Sequence, residues 1–264
     1  MRKARNLMSD LGLAVRQIRF ENRSFWRNPA SAFFTFVFPI MFLVIFNLLF
    51  GSGDYQGFGQ TTSVSTFYVP AIAAFAVITA TYTNLAIAVS FARDEGVLKR
   101  VRGTPLPSWA YLAGRIGHST LMCVLLVAIV TLFGVLFYGV DVPGSKMPAF
   151  VVAVIVGAAS FSALGLALTG LIPNAEAAPP ITNATILPLL FVSDIFIPLE
   201  DAPAWLETVA GIFPIKHYSA AMLTAFDPFD PGSGFAWGDL AVVAAWGVAG
   251  VLLAIRFFSW EPRR

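Results

Sequence analysis

The stretch "FARDEGVLKRVRGTPLPSWAYLAGR", residues 91–115, carries five of the chain's 17 lysine and arginine residues. Apolar runs precede and follow it, and each is long enough to cross about 30 Å of hydrocarbon as a helix. The stretch therefore predicts a charged connection between two membrane spans.

The whole chain has the composition of an integral membrane protein. Of its 264 residues, 57% are hydrophobic and 12% are charged, whereas a soluble domain has about 25% charged residues. The single cysteine, Cys123, lies inside an apolar run, which excludes an internal disulfide and argues against a cysteine-based metal site.

Apolar runs recur along the chain and predict an all-α integral membrane protein with six transmembrane helices. The predicted spans are approximately Ala30–Phe50, Phe67–Phe91, Ser108–Tyr138, Ala149–Ile172, Pro179–Ile197 and Trp237–Phe258. Residues 30–264 would then form one transmembrane domain.

The distribution of lysine and arginine predicts the orientation. Seven precede the first span, five lie in the second connection and three lie at the C-terminal end, while the opposite side holds only Lys146 and Lys216. The excess of fifteen lysines and arginines on one side over two on the other predicts that both termini and the 92–114 loop face the cytoplasm.

Residues 1–29 have the pattern of an amphipathic helix lying in the cytoplasmic interface. Arginines at 16, 19, 23 and 27 form one stripe, and a second stripe contains Leu11, Val15, Ile18, Asn22 and Phe25. The arginines would meet anionic lipid headgroups, and Asn28-Pro29 would end the helix. The alternative is a basic tail that only fixes the topology.

Two further patterns predict packing inside the membrane. Small residues recur at helical spacing in the fourth span and favour close contact with another span; they are Ala153, Gly157, Ser160, Ala163, Ala167 and Gly170. Residues 198–236 contain two apolar stretches of about a dozen residues, which predicts external helices that re-enter the membrane without crossing it.

The sequence lacks the common motifs of catalysis. No phosphate-binding loop is present, because no glycine precedes any of the four lysines, and neither a zinc-protease motif nor a nucleophile elbow occurs. "GSGD" at 51–54 matches a motif of intramembrane aspartyl proteases, but it lies in a predicted external loop, and no tyrosine-aspartate partner motif occurs in another span. We therefore predict a chain that is not an enzyme and binds no cofactor, metal or nucleic acid.

Asp194, toward the outer end of the fifth predicted span, has two interpretations. An acid within lipid should face protein or a water-filled cavity, whereas an acid at the interface only needs nearby backbone partners. Polar residues in the second span, including Thr81 and Asn84, and in the fifth span, Asn183 and Thr185, either line a path or bond between helices.

Residues 93–102 predict a rigid cytoplasmic helix about 15 Å long. Asp94 and Glu95 suit its N-terminus, the basic residues suit its C-terminus, and Gly103 and Pro105 would end it. The alternative is a loop that carries arginines only to set the topology, which leaves the carboxylates and prolines unexplained.

The chain also resembles the ABC-2 type exporter permeases, especially the daunorubicin-resistance-like group. "RDEGVLKRVRGTPLPSWAYLAGR" is similar to their cytoplasmic loop, and "LPLLFVSDIFIPLEDAPAWLETVAGIFPIKHYSAAM" to their fifth span and the segment that follows. The resemblance covers nearly the whole chain. It departs from the family pattern at Asp194, where the family more often has Gly or Asn.

The resemblance implies a permease in the bacterial cytoplasmic membrane that pairs with a second copy and docks on two separate ATP-binding subunits. ATP and Mg would be bound by those subunits, and the exported substrates would be drugs, lipids or glycolipids. The resemblance assigns the coupling contact to Asp94, Glu95, Gly96, Leu98, Arg100, Arg102, Thr104 and Pro105. It places the substrate path between the copies, along Thr81, Asn84, Pro188, Phe191 and Asp194. The alternative functions are a membrane-embedded enzyme or a non-pumping assembly factor.

Overall fold

The computed structural model describes residues 2–51, 54–55, 62–104, 106–196 and 203–261, and these are mostly helical. The first half contains α1 (Arg2–Trp26), α2 (Pro29–Phe50), β1 (Asp54–Tyr55), β2 (Thr62–Ser63), α3 (Val64–Ile78), a π-helix (Thr79–Thr83), α4 (Asn84–Asp94) and α5 (Val97–Arg102). The second half contains α6 (Ser108–Tyr138), a 3-10 turn (Gly144–Lys146), α7 (Met147–Leu168), α8 (Ala178–Phe191), α9 (Ala204–Ala210), α10 (Pro214–Phe226) and α11 (Trp237–Phe257). The two short strands pair in antiparallel fashion before α3.

Among the described residues, five helical segments are long and apolar enough to cross a membrane, which agrees with the predicted all-α multi-pass architecture. They are Ala32–Phe50, Val64–Asp94, Trp109–Tyr138, Gly144–Leu168 and Trp237–Phe257. The fifth predicted span is represented by α8, which has 14 residues and is only about 21 Å long. Its helix ends because Val192 leaves helical geometry at φ −109°, ψ 30°. The prediction of six crossings is therefore not confirmed by helix length.

The second span is the central helix of the fold. It runs from Val64 to Asp94 and is mostly buried, and it widens into a π-helix at Thr79–Thr83. The Thr81 hydroxyl donates to the Val77 carbonyl at 2.7 Å within this helix. Single π turns inside α-helices occur often at functional sites, because they displace the side chains that follow.

The small residues of α7 pack against neighbouring helices, as the sequence predicted. Gly250 of α11 lies so close to α7 that a Cβ atom there would be 2.9 Å from the Leu164 backbone nitrogen. Gly157 of α7 likewise lies against the ring of Tyr218 in α10. These glycines set the distance between the helix axes, since any side chain would meet backbone or a buried ring.

Helix α1 packs along α6, a contact that the sequence did not predict. Glycines at 114 and 117 of α6 receive the side chains of Gln17 and Ile18. Val15, expected on the same apolar face, is 63% exposed. The face toward α6 thus combines Ile18 with polar groups, because an ion pair between Glu21 and Arg115 at 3.1 Å joins the two helices.

Aromatic residues of α2, α3 and the turn after α8 form one cluster. The cluster lies near Val64, at the N-terminal end of the second span. Phe46 stacks on Tyr68 and on Phe196, with ring centroids 5.0 Å and 5.7 Å apart. The Tyr68 hydroxyl also donates to the Phe196 carbonyl at 3.3 Å. The cluster holds the turn that follows α8 against α2 and α3, which explains part of the high phenylalanine content.

Helices α9 and α10 occupy the segment that the sequence predicted to be re-entrant. They have seven and 13 residues, too few to cross a membrane. Helix α10 packs against α3, α7 and α11, and Tyr218 at its centre is fully buried. Residues 197–202, at the start of the predicted segment, lie outside the described part of the chain.

A lysine clamps the loop between α10 and α11. The Lys146 ammonium donates to the Asp227 carbonyl at 2.8 Å and to the Asp230 carboxylate at 3.1 Å. Hydrogen bonding from the Gly232 N–H and then from Lys146 lowers the pKa of Asp230. The ionised carboxylate is therefore the form that the folded loop favours.

This clamp predicts a pH dependence of stability. Because the pKa of Asp230 is lowered on folding, its contribution is complete above the unfolded pKa of about 3.9 and is lost as the pH falls through the lowered value. We expect Asp230→Asn to lower the unfolding temperature at about pH 7. The unfolding temperature of this variant should also decrease less than that of the parent as the pH is lowered. Asp141→Asn, at an exposed aspartate, is the control. If the unfolding temperatures of Asp230→Asn and the parent depended on pH in the same way, the Asp230 carboxylate would not stabilise the loop.

Candidate functional site

The predicted helix over 93–102 is wrong, because the chain turns sharply within it. Helix α4 continues to Asp94, and α5 contains only Val97–Arg102, about 9 Å of helix. Gly96 between them has φ +71°, a left-handed conformation that only glycine adopts without strain. Asp94 and Glu95 therefore lie at the end of α4 and not at the start of α5.

Arg93 fixes this turn to the connection between α7 and α8. Its side chain is 1% exposed, and it donates to the carbonyls of Thr169 and Ile172 at 2.9 Å and 2.7 Å. Helix α7 ends at Leu168, and the Thr169 carbonyl lies at its C-terminus, where a cation is stabilising. The Ile172 carbonyl lies in the connection that follows. Asp94 adds a second link by accepting the N–H of Ala175.

Leu98 fixes the other side of the turn by packing inward. It is fully buried in a cluster with Leu85, Val89 and Tyr111. The resemblance assigned Leu98 to the coupling contact, but its side chain has no exposed surface. Its burial instead holds α5 against α4 and α6.

The exposed side of the turn is polar and charged. Glu95, Lys99, Arg100 and Thr104 are exposed. Arg100 donates to the Glu95 carbonyl at 3.4 Å, and the Thr104 hydroxyl donates to the Val101 carbonyl at 2.7 Å. The side chain of Arg102 and all of Pro105 lie outside the described part of the chain. This charged turn, residues 95–104, is thus a surface with a buried support beneath it.

The predicted path residues do not form one site. Thr81 is fully buried and bonds to its own helix, so it does not line an open path. Asn84, Pro188 and Phe191 are exposed, and Phe191 packs against Phe196 with ring centroids 5.2 Å apart.

Asp194 lies beyond the end of α8 and has φ +57°. Its carbonyl accepts from the Ser219 hydroxyl of α10 at 3.3 Å. Left-handed backbone favours Gly and Asn, and Asp adopts it more readily than bulky residues do. The position is thus constrained by backbone geometry.

Two cavities flank the second span. One of about 560 Å³ is mainly apolar and is lined by Tyr82, Phe161, Pro188, Trp246 and Phe257 among others. The other, about 520 Å³, lies between α2, the second span and α8 and is lined by Phe34, Phe38, Phe75, Asn84 and Leu187 among others. The predicted path residues Pro188 and Asn84 therefore face different cavities.

Comparison with known proteins assigns the family. Residues 15–226 match the sequence profile of the ABC-2 type transporter family. The chain belongs to this family.

Named relatives of this ABC-2 permease include transporters of several organisms. It is 28% identical over 190 residues to the daunorubicin resistance ABC transporter permease protein DrrB1 of Streptomyces coeruleorubidus, covering 69% of this chain and 64% of the relative. It is 27% identical over 196 residues to the putative transport permease ycf38 of Cyanophora paradoxa, covering 72% and 66%. The probable multidrug ABC transporter permease YbhR of Escherichia coli K12 is 24% identical over 153 residues, 58% of this chain and 41% of that protein. The matched region thus spans about two thirds or less of each relative.

The two histidines of the permease lie in separate places. His118 packs beside Phe25 with ring centroids 5.6 Å apart. The ring nitrogens of His217 lie 2.6 Å from an Asp239 oxygen and 2.9 Å from the Gly211 carbonyl, so His217 joins α10 to α11. Within the described residues, no group of three or more His, Cys, Asp and Glu side chains could hold a metal ion.

Arg93 is the buried residue of this turn whose partners sequence reasoning missed. The available signal was its position directly after an apolar run, where a charge either leaves the membrane or finds a buried partner. The partner carbonyls lie 76 and 79 residues away in sequence, so no local pattern could show which of these occurs.

Proposed function

We propose that this ABC-2 permease is the membrane subunit of an ATP-driven exporter, with the charged turn as its contact to a separate ATP-binding subunit. The observation that carries the proposal is the exposed Glu95 and Arg100 above the buried Arg93 and Leu98. A surface that receives force needs a rigid connection to the spans, and these two side chains supply it. ATP and Mg belong to the partner subunit.

The buried contacts of Arg93 and Leu98 determine which spans move when the charged turn is displaced. Arg93 bonds to the carbonyls at 169 and 172, so a push on the turn reaches the fourth span and the connection to α8. Leu98 and Tyr111 share one apolar cluster, so the same push reaches the third span. A displacement of the charged turn would therefore move at least two spans relative to the central second span.

The proposed complex has two copies of the permease and two ATP-binding subunits in a bacterial cytoplasmic membrane. The excess of 15 lysines and arginines over two supports cytoplasmic termini and a cytoplasmic charged turn. In this topology α8 and the turn after it, together with α10, make the crossing that was predicted as the fifth span. With the five long helices this gives six crossings. The exposed apolar face of α2, which includes Phe33 at 58% and Leu48 at 77% exposure, is covered by lipid or by the second copy.

The substrate class follows from the surface along α2, the second span and α8. The groove there combines Phe34, Phe38 and Phe75 with the polar groups of Asn84 and Asn183. Such a lining suits hydrophobic or amphipathic molecules, which include drugs, lipids and glycolipids. Asn84, Pro188 and Phe191 remain the proposed path residues, whereas Thr81 is buried.

Charge reversal at Glu95 tests the coupling contact. We expect Glu95→Lys to weaken binding of the ATP-binding subunit by at least about tenfold, since a like charge at an interface costs several kcal/mol. Glu95 is exposed, so the permease itself should fold normally. Coexpression followed by quantitative pull-down and a transport assay measures both effects.

Glu207→Lys is the matched control, because Glu207 is an exposed glutamate of α9, on the predicted outer side. It should bind the ATP-binding subunit like the parent. Equal binding and equal transport by the parent and both variants would remove the coupling role from the charged turn.

A further inference from the structure

A third cavity lies between α1, α4 and α6 and has a polar lining. Its volume is about 410 Å³, and it is lined by Glu21, Asn84, Arg115, His118 and Ser119, with apolar residues around them. Polar groups this close together within a membrane domain are costly unless they bind each other or a ligand.

Arg115 is held in a fixed orientation but retains free donors. Its Nε donates to the Tyr111 hydroxyl at 3.0 Å and lies 3.1 Å from the Glu21 carboxylate. Its guanidinium also lies over the Tyr111 ring at 5.4 Å. Both polar contacts use Nε, so the two terminal nitrogens, which make the bidentate edge, have no hydrogen-bond partner among the described residues.

His118 adds a second unpartnered group one helical turn away. Its Nδ1 is enclosed by protein and has no hydrogen-bond partner within the described part of the chain. Residues three apart lie on the same face of a helix, and both Arg115 and His118 line this cavity. The cavity wall therefore includes the Arg115 guanidinium and the His118 ring, although the Nδ1 atom itself is enclosed by protein.

The surroundings of the cavity favour an anion. Glu21 is buried and is already bound by Gln17 at 2.7 Å and by Arg115. The arginines of α1 at positions 16, 19, 23 and 27 are exposed, and Glu21 is the only acidic residue between positions 12 and 30. The excess of positive charge on α1 attracts negatively charged headgroups to this helix.

The polar cavity adjoins the apolar groove between α2, the second span and α8, because Thr35 and Asn84 contribute to the walls of both. Beyond them the groove is lined by Phe34, Phe38 and Leu187 and has a volume of about 520 Å³. A polar cavity beside an apolar groove matches the polar and apolar ends of an amphiphile.

We propose that this composite site binds one anionic amphiphile, with its phosphate or carboxylate on Arg115 and its acyl chain in the groove. A phosphate or carboxylate accepts two parallel hydrogen bonds from the guanidinium edge. That the amphiphile comes from the cytoplasmic leaflet rests on the orientation proposed above. Binding itself requires neither that orientation nor the ATP-binding subunit.

Native mass spectrometry of the purified full chain in detergent tests the site. Three probes separate the possible ligands: dioleoylphosphatidylglycerol, the neutral dioleoylglycerol with the same chains, and inorganic phosphate. We expect one molecule of the anionic lipid per chain, bound at least about tenfold more tightly than either other probe. Equal binding of the neutral lipid, or binding of inorganic phosphate as tight as that of the anionic lipid, would overturn the proposal.

Two variants locate the bound lipid. Arg115→Lys keeps a cation beside Glu21 but removes the bidentate edge, and Ala88→Phe fills the cavity without changing a polar group, because Ala88 also lines it. Each should weaken binding of the anionic lipid by at least about tenfold. Arg23→Gln removes an exposed arginine of α1 and should change binding by less than about twofold.

Thermal unfolding of each variant shows whether it is folded. If Arg115→Lys does not fold, Ala88→Phe decides the question alone. Tight binding of the anionic lipid by a folded Ala88→Phe variant would show that the lipid sits elsewhere and would refute the proposed site.

Discussion

Arg93→Met should lower the free energy of unfolding by about 3–5 kcal/mol, the cost of removing one member of a buried charged network. The guanidinium is 1% exposed and serves the carbonyls of Thr169 and Ile172. Methionine fills much of the same volume but donates no hydrogen bond, so both carbonyls lose their donor, and the Asp94 carboxylate loses its ion-pair partner at 3.5 Å. The charged turn should then move independently of the fourth span.

The single cysteine makes this prediction measurable. Cys123 is a buried free thiol, so its reaction with a fluorescent maleimide reports unfolding of the membrane domain. We expect the midpoint temperature of this reaction to fall in Arg93→Met, and ATP hydrolysis in the assembled transporter to lose its coupling to export.

Lys99→Met is the matched control for Arg93→Met. Lys99 is a nearby cation with an exposed side chain, so its removal should change stability by about 0.5 kcal/mol or less. If the two variants unfolded at the same temperature, Arg93 would contribute no more than a surface charge, and the mechanical link to the fourth span would be wrong.

Gly165→Ala should destabilise the domain by about 1–3 kcal/mol, and Gly165→Val by more, because both overpack a closely fitted helix contact. A Cβ atom at Gly165 would lie 2.8 Å from the Tyr82 carbonyl oxygen and 3.1 Å from its Cα. These are backbone atoms of the π-helix, so no side-chain rotation relieves the contact. The fourth span would have to separate from the second.

The control is Gly238→Ala in α11, where no atom lies within 4 Å of the added Cβ. That change should be neutral or slightly stabilising, because alanine costs less conformational entropy in a helix than glycine. The same maleimide assay compares the two glycines. Equal stability of Gly165→Val and the parent would show that the second and fourth spans are not held at the distance described.

Much of the architecture could be predicted from the sequence because it depends on patterns within one segment. Apolar runs located the five long spans, since length and hydropathy decide what crosses a membrane. The small residues of the fourth span predicted its close packing. Gly250 of α11 lies against the fourth span, and Ser160 of the fourth span lies against α11, which confirms this packing. The two loop motifs predicted the family, which the profile match over residues 15–226 confirms.

The charged turn shows where such prediction fails. The charges around Asp94 and Glu95 suggested a helix N-terminus, but Gly96 reverses the chain at φ +71° and two short helices result. Leu98 was expected to face a partner, and the tertiary structure buries it. A six-residue helix has too few residues to show which face is buried, so the neighbouring spans decide it.

The sequence by itself determined the class of the protein, its spans, its family and the position of its charged turn, because these depend on composition and local order. Only the tertiary structure decided that α1 packs on α6, that Arg93 joins the turn to the fourth span, and that Arg115 and His118 share a cavity. Each of these contacts joins side chains to groups far away in the chain, as the 79 residues between Arg93 and Ile172 illustrate. Such pairings follow from how helices pack in three dimensions, and no periodicity within one helix encodes them.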